Sequence, residues 1–196
     1  MVESVDVRLF AADSNMDGLC WGRSPHDPAV KGEIERATAV FAEGLDVAAR
    51  VLGVPDYEPR CSVDCATATR DLDIPGRPIA AGTIAGLDVR WEALVAGTPV
   101  IELHQRWVMG SDLEPAWKVS HGYSAEVAGD PKVRLQLSIL PAGDLSQFGV
   151  AEMRAIGLRI TALPLVNAIP TVCAAPPGIR TYADLPLVAA RIQLSH

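Results

Sequence analysis

The sequence predicts an α+β fold: a mixed, largely antiparallel open sheet of about five or six strands, with helices packed on one face and the other face left for a pocket or for dimerisation. Three observations predict it. Apolar and charged residues alternate near the start of the chain, as in a strand. Two stretches repeat apolar residues at steps of three and four, as helices do. The middle of the chain is a run of strand patterns broken by short turns, which makes consecutive strands antiparallel. With 196 residues, 49% apolar and 21% charged, the composition is that of one globular domain, residues 1–196.

Val5, Val7 and Leu9 alternate with charges, so residues 2–10 read as a half-buried strand. Residues 11–32 hold Asp13, Asn15, Asp17, Gly18, Gly22, Pro25 and Pro28, a turn-rich loop long enough to carry function. From Gly32 the apolar positions Ile34, Ala37, Phe41, Leu45, Ala48 and Leu52 form one helical stripe, which Gly53 and Pro55 end. Strands follow at 58–71, 78–95, 99–109, 118–128 and 132–140, with turns at Pro75-Gly76, Gly97-Thr98-Pro99 and Gly129-Asp130-Pro131. Helical spacing returns with Val150, Met153, Ile156, Ile160 and Leu163, and Pro164 and Pro170 should break or kink that helix. The tail from Pro176 reads as extended or irregular.

Charge and motifs exclude several function classes. A net charge of −7 is the wrong sign for a protein that tracks a phosphate backbone. Residues 1–10 carry Glu3, Asp6 and Arg8 and lack a signal peptide's apolar run, so a cytoplasmic location is expected. No stretch approaches eighteen uninterrupted apolar residues, and no membrane span is expected. The four cysteines, Cys20, Cys61, Cys65 and Cys173, contain no CxxC and read as packed thiols rather than metal ligands. There is no GxGxxG and no P-loop, so no cofactor is expected to bind. The glycines of Gly82-Thr83-Ile84-Ala85-Gly86 lie in a strand pattern and indicate a bulge or a close backbone approach. Neither GxSxG nor HExxH occurs.

The strongest polar constellation is Ile101-Glu102-Leu103-His104-Gln105-Arg106-Trp107. On a strand, Glu102, His104 and Arg106 share one face at steps of about 7 Å, and Ile101, Leu103 and Trp107 share the other. Such a row is either a solvated face or the floor of a cavity. Apolar neighbouring strands, together with Asp112, Trp117, His121 and Tyr123 shortly after, make the cavity a real candidate. Glu102, His104 and Tyr123 are then the candidate acid/base groups. Trp91, Arg106, Trp107, Asp112, Trp117, His121 and Asn167 are candidate substrate contacts. His26 and His196 read as surface residues.

These segments also carry a family resemblance. Ala81-Gly82-Thr83-Ile84-Ala85-Gly86, Glu102–Trp107, Met109-Gly110-Ser111-Asp112-Leu113, Pro115-Ala116-Trp117, Gly129-Asp130-Pro131, Met153-Arg154-Ala155, Asn167-Ala168-Ile169-Pro170 and Cys173–Gly178, with Asp184-Leu185-Pro186-Leu187, occur in an order that resembles the C-terminal domain of the dihydrodipicolinate reductase-like, NAD(P)H-dependent amine dehydrogenases, including 2,4-diaminopentanoate dehydrogenase. The resemblance implies an open sheet flanked by helices that shapes a substrate pocket and builds a dimer. In that family a Rossmann domain holds the nicotinamide cofactor and the catalytic acid, so the resemblance places Glu102–Trp107, Trp117 and Asn167 at a pocket or an interface.

Three functions follow as expectations. The first is a stand-alone, cofactor-independent enzyme for cyclisation, isomerisation or addition at a carbonyl or imine-like centre, acting on a small-molecule substrate as a homodimer or larger homo-oligomer. The second is the substrate-binding and dimerisation half of a split reductase whose Rossmann subunit is separate. The third is a non-catalytic small-molecule-binding module.

Overall fold

A computed structural model of the chain describes residues 2–12, 18–54, 56–74, 76–117, 119, 122–139, 150–181 and 184–186, with 2–12 and 150–154 described as backbone. It forms two units, Met1–Ser138 and Ile139–His196.

The first unit is a seven-stranded mixed sheet with two helices. In chain order it runs β1 (Val2–Ala12), α1 (Ala29–Thr38), a 3-10 turn (Ala39–Phe41), α2 (Ala42–Leu52), β2 (Glu58–Ala68), β3 (Ile84–Val95), β4 (Thr98–Val108), β5 (Leu113–Glu114), β6 (Gly122–Gly129) and β7 (Val133–Leu137). Across the sheet the order is β5-β2-β3-β4-β1-β6-β7. β1 runs parallel to β4, and every other pair is antiparallel. A parallel pair needs a crossover, and the helices between β1 and β2 belong to it. The predicted α+β class and mixed, mainly antiparallel sheet are therefore present.

The helical stripe from Gly32 divides at the 3-10 turn into two helices, because Thr38 turns its hydroxyl back onto the Ile34 carbonyl at 2.8 Å and local side-chain bonds of this kind bend helices. α2 ends as expected: Gly53 is left-handed at φ 73°, and Val54 N–H donates to the Ala49 carbonyl at 2.8 Å. α2 lies close to the sheet at Gly44, where a Cβ would come within 2.9 Å of Leu103. Val30, Ile34, Leu45 and Ala49 from the helices meet Val63, Leu87, Val89, Trp91, Ala93, Ile101 and Trp107 from the sheet. Each fully buried Leu, Ile or Val here contributes about 1.5–3 kcal/mol.

That core contains a polar link between helix and sheet. Thr38 Oγ1 accepts the Trp91 Nε1–H at 3.2 Å, and both groups are buried. Thr38→Val leaves the indole N–H without its acceptor and is expected to cost about 1–3 kcal/mol in chemical denaturation. A cost below 0.5 kcal/mol would mean that the link does not matter.

β3 starts at Ile84 rather than at residue 78, because Gly82 at φ 79° and the Thr83 N–H to Ala80 carbonyl bond close a turn there. The β3–β4 hairpin turns on Ala96 and Gly97, both at positive φ, as a two-residue hairpin requires. The second unit contains α3 (Val150–Ala174), which runs unbroken through Pro164 and Pro170. A proline's φ is already helical, so each costs a hydrogen bond and local strain without ending the helix. Ala155–Ala174 is long and apolar enough to cross a membrane, by length and composition alone, with a mean hydropathy of 1.5. Counting uninterrupted apolar residues did not register this property.

Candidate functional site

The site stands on β3 and β4. Their side chains alternate, so Leu87, Val89, Trp91, Ile101 and Trp107 enter the helix-covered core. Asp88, Arg90, Glu92, Glu102, His104 and Arg106 lie on the opposite face. The register sets Asp88 against Arg106 and Arg90 against His104.

Three of these side chains converge on the carboxylate of the fourth, Asp88. Asp88 Oδ1 accepts His104 Nε2–H at 2.7 Å and faces Arg90 Nε at 3.3 Å. Asp88 Oδ2 accepts both Nε–H, at 2.7 Å, and Nη2–H of Arg106. Asp88 is 3% exposed and His104 4%, so this is a buried ionic group rather than a solvated row. Burial pushes the Asp88 carboxyl up, but the hydrogen bonds from His104 and Arg106 and their charge outweigh it and hold it down at about 2. An ionised Asp88 accepts only, which assigns the proton to His104 Nε2 and fixes the imidazole's tautomer and orientation.

Trp117 covers one side of the group. Its ring lies 5.0 Å from the Arg106 guanidinium carbon, a cation–π contact. It also rests on Gly86: a Cβ there would stand 3.0 Å from Trp117 Cε3 and 2.9 Å from Ala66 Cβ. The close backbone approach expected from the glycine cluster is therefore found at Gly86.

The candidate residues do not all assemble. Glu102 shares the His104 face and is half-buried. Tyr123 does not share it, because its register neighbour Leu9 also pairs with Gln105, which puts Tyr123 on the face opposite His104. The acid/base set Glu102, His104 and Tyr123 is therefore corrected to exclude Tyr123. Trp91 and Trp107 likewise line the core and not the site: Trp91 binds Thr38, and Trp107 packs on Phe41 at 5.8 Å. The physical cause is the two-residue period of a strand, which splits an unbroken run of candidates between two faces. Asp112 forms a surface ion pair with Arg70 at 2.8 Å. His121 lies outside the described residues, as do residues 13–17 of the turn-rich loop. Asn167 is half-buried in α3, in the second unit. That unit has a groove of about 450 Å³ lined by Pro170, Thr171, Pro176, Asp184, Leu185 and Pro186, and no candidate residue lines it.

Sequence reasoning missed Asp88 and Arg90. The signal was available, since Leu87-Asp88-Val89-Arg90-Trp91-Glu92 alternates as β4 does. Gln105 carries another feature of the core: it is 4% exposed, and among the described residues its Oε1 has no hydrogen-bond partner. Gln105→Met removes an unsatisfied acceptor at similar volume. It is expected to be neutral or to stabilise by up to about 1 kcal/mol in a thermal melt, and a clear loss would show that the amide is satisfied in solution.

Among the described residues, no group of three or more His, Cys, Asp or Glu could hold a metal ion. Cys20 is buried, Cys61 and Cys65 are half-buried and Cys173 is exposed. Burial pushes the Cys61 thiol up to about 11, so it stays protonated at neutral pH. The glycine cluster Gly82–Gly86 leads from a turn into β3, and Gly86 is packed under Trp117 rather than opening a helix N-terminus.

No protein-family model matches the sequence, and no curated protein matches it. Among solved structures, an amine dehydrogenase from Mycobacterium smegmatis is similar, with a TM-score of 0.62 and 18% identity. The similarity covers 97% of this chain and 53% of that one, so the chain spans about half the length of the dehydrogenase. At this identity the likeness establishes the fold, an amine-dehydrogenase-like α+β architecture.

Proposed function

We propose that this chain is the substrate-side half of a reductase of the amine-dehydrogenase type, with the nicotinamide dinucleotide held by a second half. The observation that carries the reading is the correspondence of nearly the whole chain to about half of an amine dehydrogenase. The chain's own contribution is the group around Asp88: a carboxylate that holds His104 in one tautomer and Arg106 against Trp117. Held so, the imidazole can take or give a proton while the indole excludes water from one side. The test uses the tagged full chain, alone and after capture of its partners, with a ketone, ammonia and NADPH, followed at the nicotinamide absorbance. Reduction by the captured assembly and none by the chain alone is expected. Turnover of a carbonyl or imine substrate by the chain alone, without nucleotide, would overturn the proposal.

That overturning result is what a second reading predicts. Cofactor-independent acid/base chemistry draws support from the buried His104–Asp88 contact, with Glu102 on the same face. It requires that His104→Ala and Glu102→Gln each abolish the nucleotide-free turnover.

A further inference from the structure

Among the described residues, seven of the fourteen exposed large apolar side chains lie on α3. Exposed apolar surface concentrated in this way marks a contact waiting for a partner. It is also ordered. Leu158, Ala162, Leu165, Ile169 and Val172 recur at alternating steps of four and three, the spacing with which one helix packs along another. All five are exposed, Leu158 at 72% and Leu165 at 64%. At about 3.6 residues per turn, Arg159, Pro164, Asn167 and Pro170 all fall off this stripe. Thr161, at its margin, spends its hydroxyl on the Gly157 carbonyl at 2.9 Å. The buried Ala168 and the half-buried Asn167 and Thr171 also lie off it, so the stripe is the uncovered side of the helix.

We propose that this stripe docks a helix of the nucleotide-holding half of the reductase. The inference rests on the reading of this chain as the other half, and adds the surface through which the two are joined. A periodic stripe suits a protein partner, whose side chains interlock with it. A bilayer is equally apolar on every side and would leave Arg159 and Asn167 in hydrocarbon. The occupant is the second half because the similarity to the amine dehydrogenase covers 97% of this chain, which leaves too few residues outside it to omit the 25 of α3. That dehydrogenase therefore carries a counterpart of this helix within the matched 53% of its chain, and nearly half of its chain lies beyond the match. The widest apolar surface described here is thus matched by a missing half of comparable size. The docking uses none of the residues around Asp88, which belong to the other unit.

Retention on immobilised NADP provides the test. From a lysate of the cells that make it, the full chain should be held on the resin and released by free NADPH, while the purified chain alone passes through. Leu165→Glu and Ile169→Glu should each lower the retained fraction at least about tenfold. Leu163→Glu, on the same helix and 51% exposed but off the stripe, should leave it unchanged. Circular dichroism checks that all three variants keep their helix content. Retention kept by both stripe variants, or lost equally with Leu163→Glu, overturns the docking and leaves the reductase reading standing. An unaltered chain that is not held from the lysate, or that binds the resin when pure, overturns the reductase reading and the docking with it. Flotation of the pure chain with vesicles of phosphatidylethanolamine and phosphatidylglycerol overturns the docking in favour of a bilayer. A purified dimer that Leu165→Glu dissociates overturns it in favour of a second copy.

Discussion

Asp88→Ala should be the most damaging single change in the sheet, with a loss of about 3–5 kcal/mol in urea unfolding. The size follows from what is left behind. His104 is 4% exposed, and Arg106 has turned two N–H groups onto the carboxylate that would be gone. A buried cation without its counter-ion costs far more than the pair contributes when intact. The same carboxylate gives stability a pH dependence of known sign. Its folded value, about 2, lies below the unfolded value near 3.9. The stabilisation is therefore complete above about pH 4 and is lost as pH falls from there through about 2. It amounts to about 2–3 kcal/mol. Urea midpoints measured at pH 6, 4 and 3 should show the fall, and Asp88→Asn should flatten it. If Asp88→Ala cost less than 1 kcal/mol, the carboxylate would not be the buried centre of this group.

Gly86→Ala should cost about 1–3 kcal/mol and change the tryptophan emission. The new methyl would meet Ala66 Cβ at 2.9 Å, where nothing can swing aside, and Trp117 Cε3 at 3.0 Å. The ring is the part able to move, and moving it gives up its place over Arg106. Arg106 keeps Asp88, so folding should survive while the aromatic cover of the site is displaced. Unchanged stability together with unchanged emission would show that Trp117 does not lie on Gly86.

Much of this was legible in the sequence, for identifiable reasons. Strand alternation and helical spacing are local properties, and they located β1, β2, β4, β7 and the stripe of α1 and α2. Alternation also put Glu102, His104 and Arg106 on one face. What it could not supply was the partner strand's register. Val95 faces Thr98 and Leu94 faces Pro99 beside the turn, and that pairing carried on would set Asp88 against Gln105. A one-residue shift between Ala93 and Leu94 sets it against Arg106 instead. Bulges of this kind depend on packing across the sheet and leave little trace in the chain. Tyr123 failed for a related reason: its face is set by pairing with β1, more than a hundred positions earlier. β5, two residues long, is too short to show any period.

The place of β1 in the sheet has a consequence for how the molecule is made. Val5 lies in register with Ile101 on one side and Val127 on the other. During synthesis β1 is translated before both of its neighbours and can pair with neither until they have left the ribosome. Contacts this distant along the chain slow folding, and a strand waiting with both edges open is a template for wrong pairing. Chaperone demand and aggregation of nascent chains should therefore concentrate on β1, well away in sequence from the ionic group around Asp88.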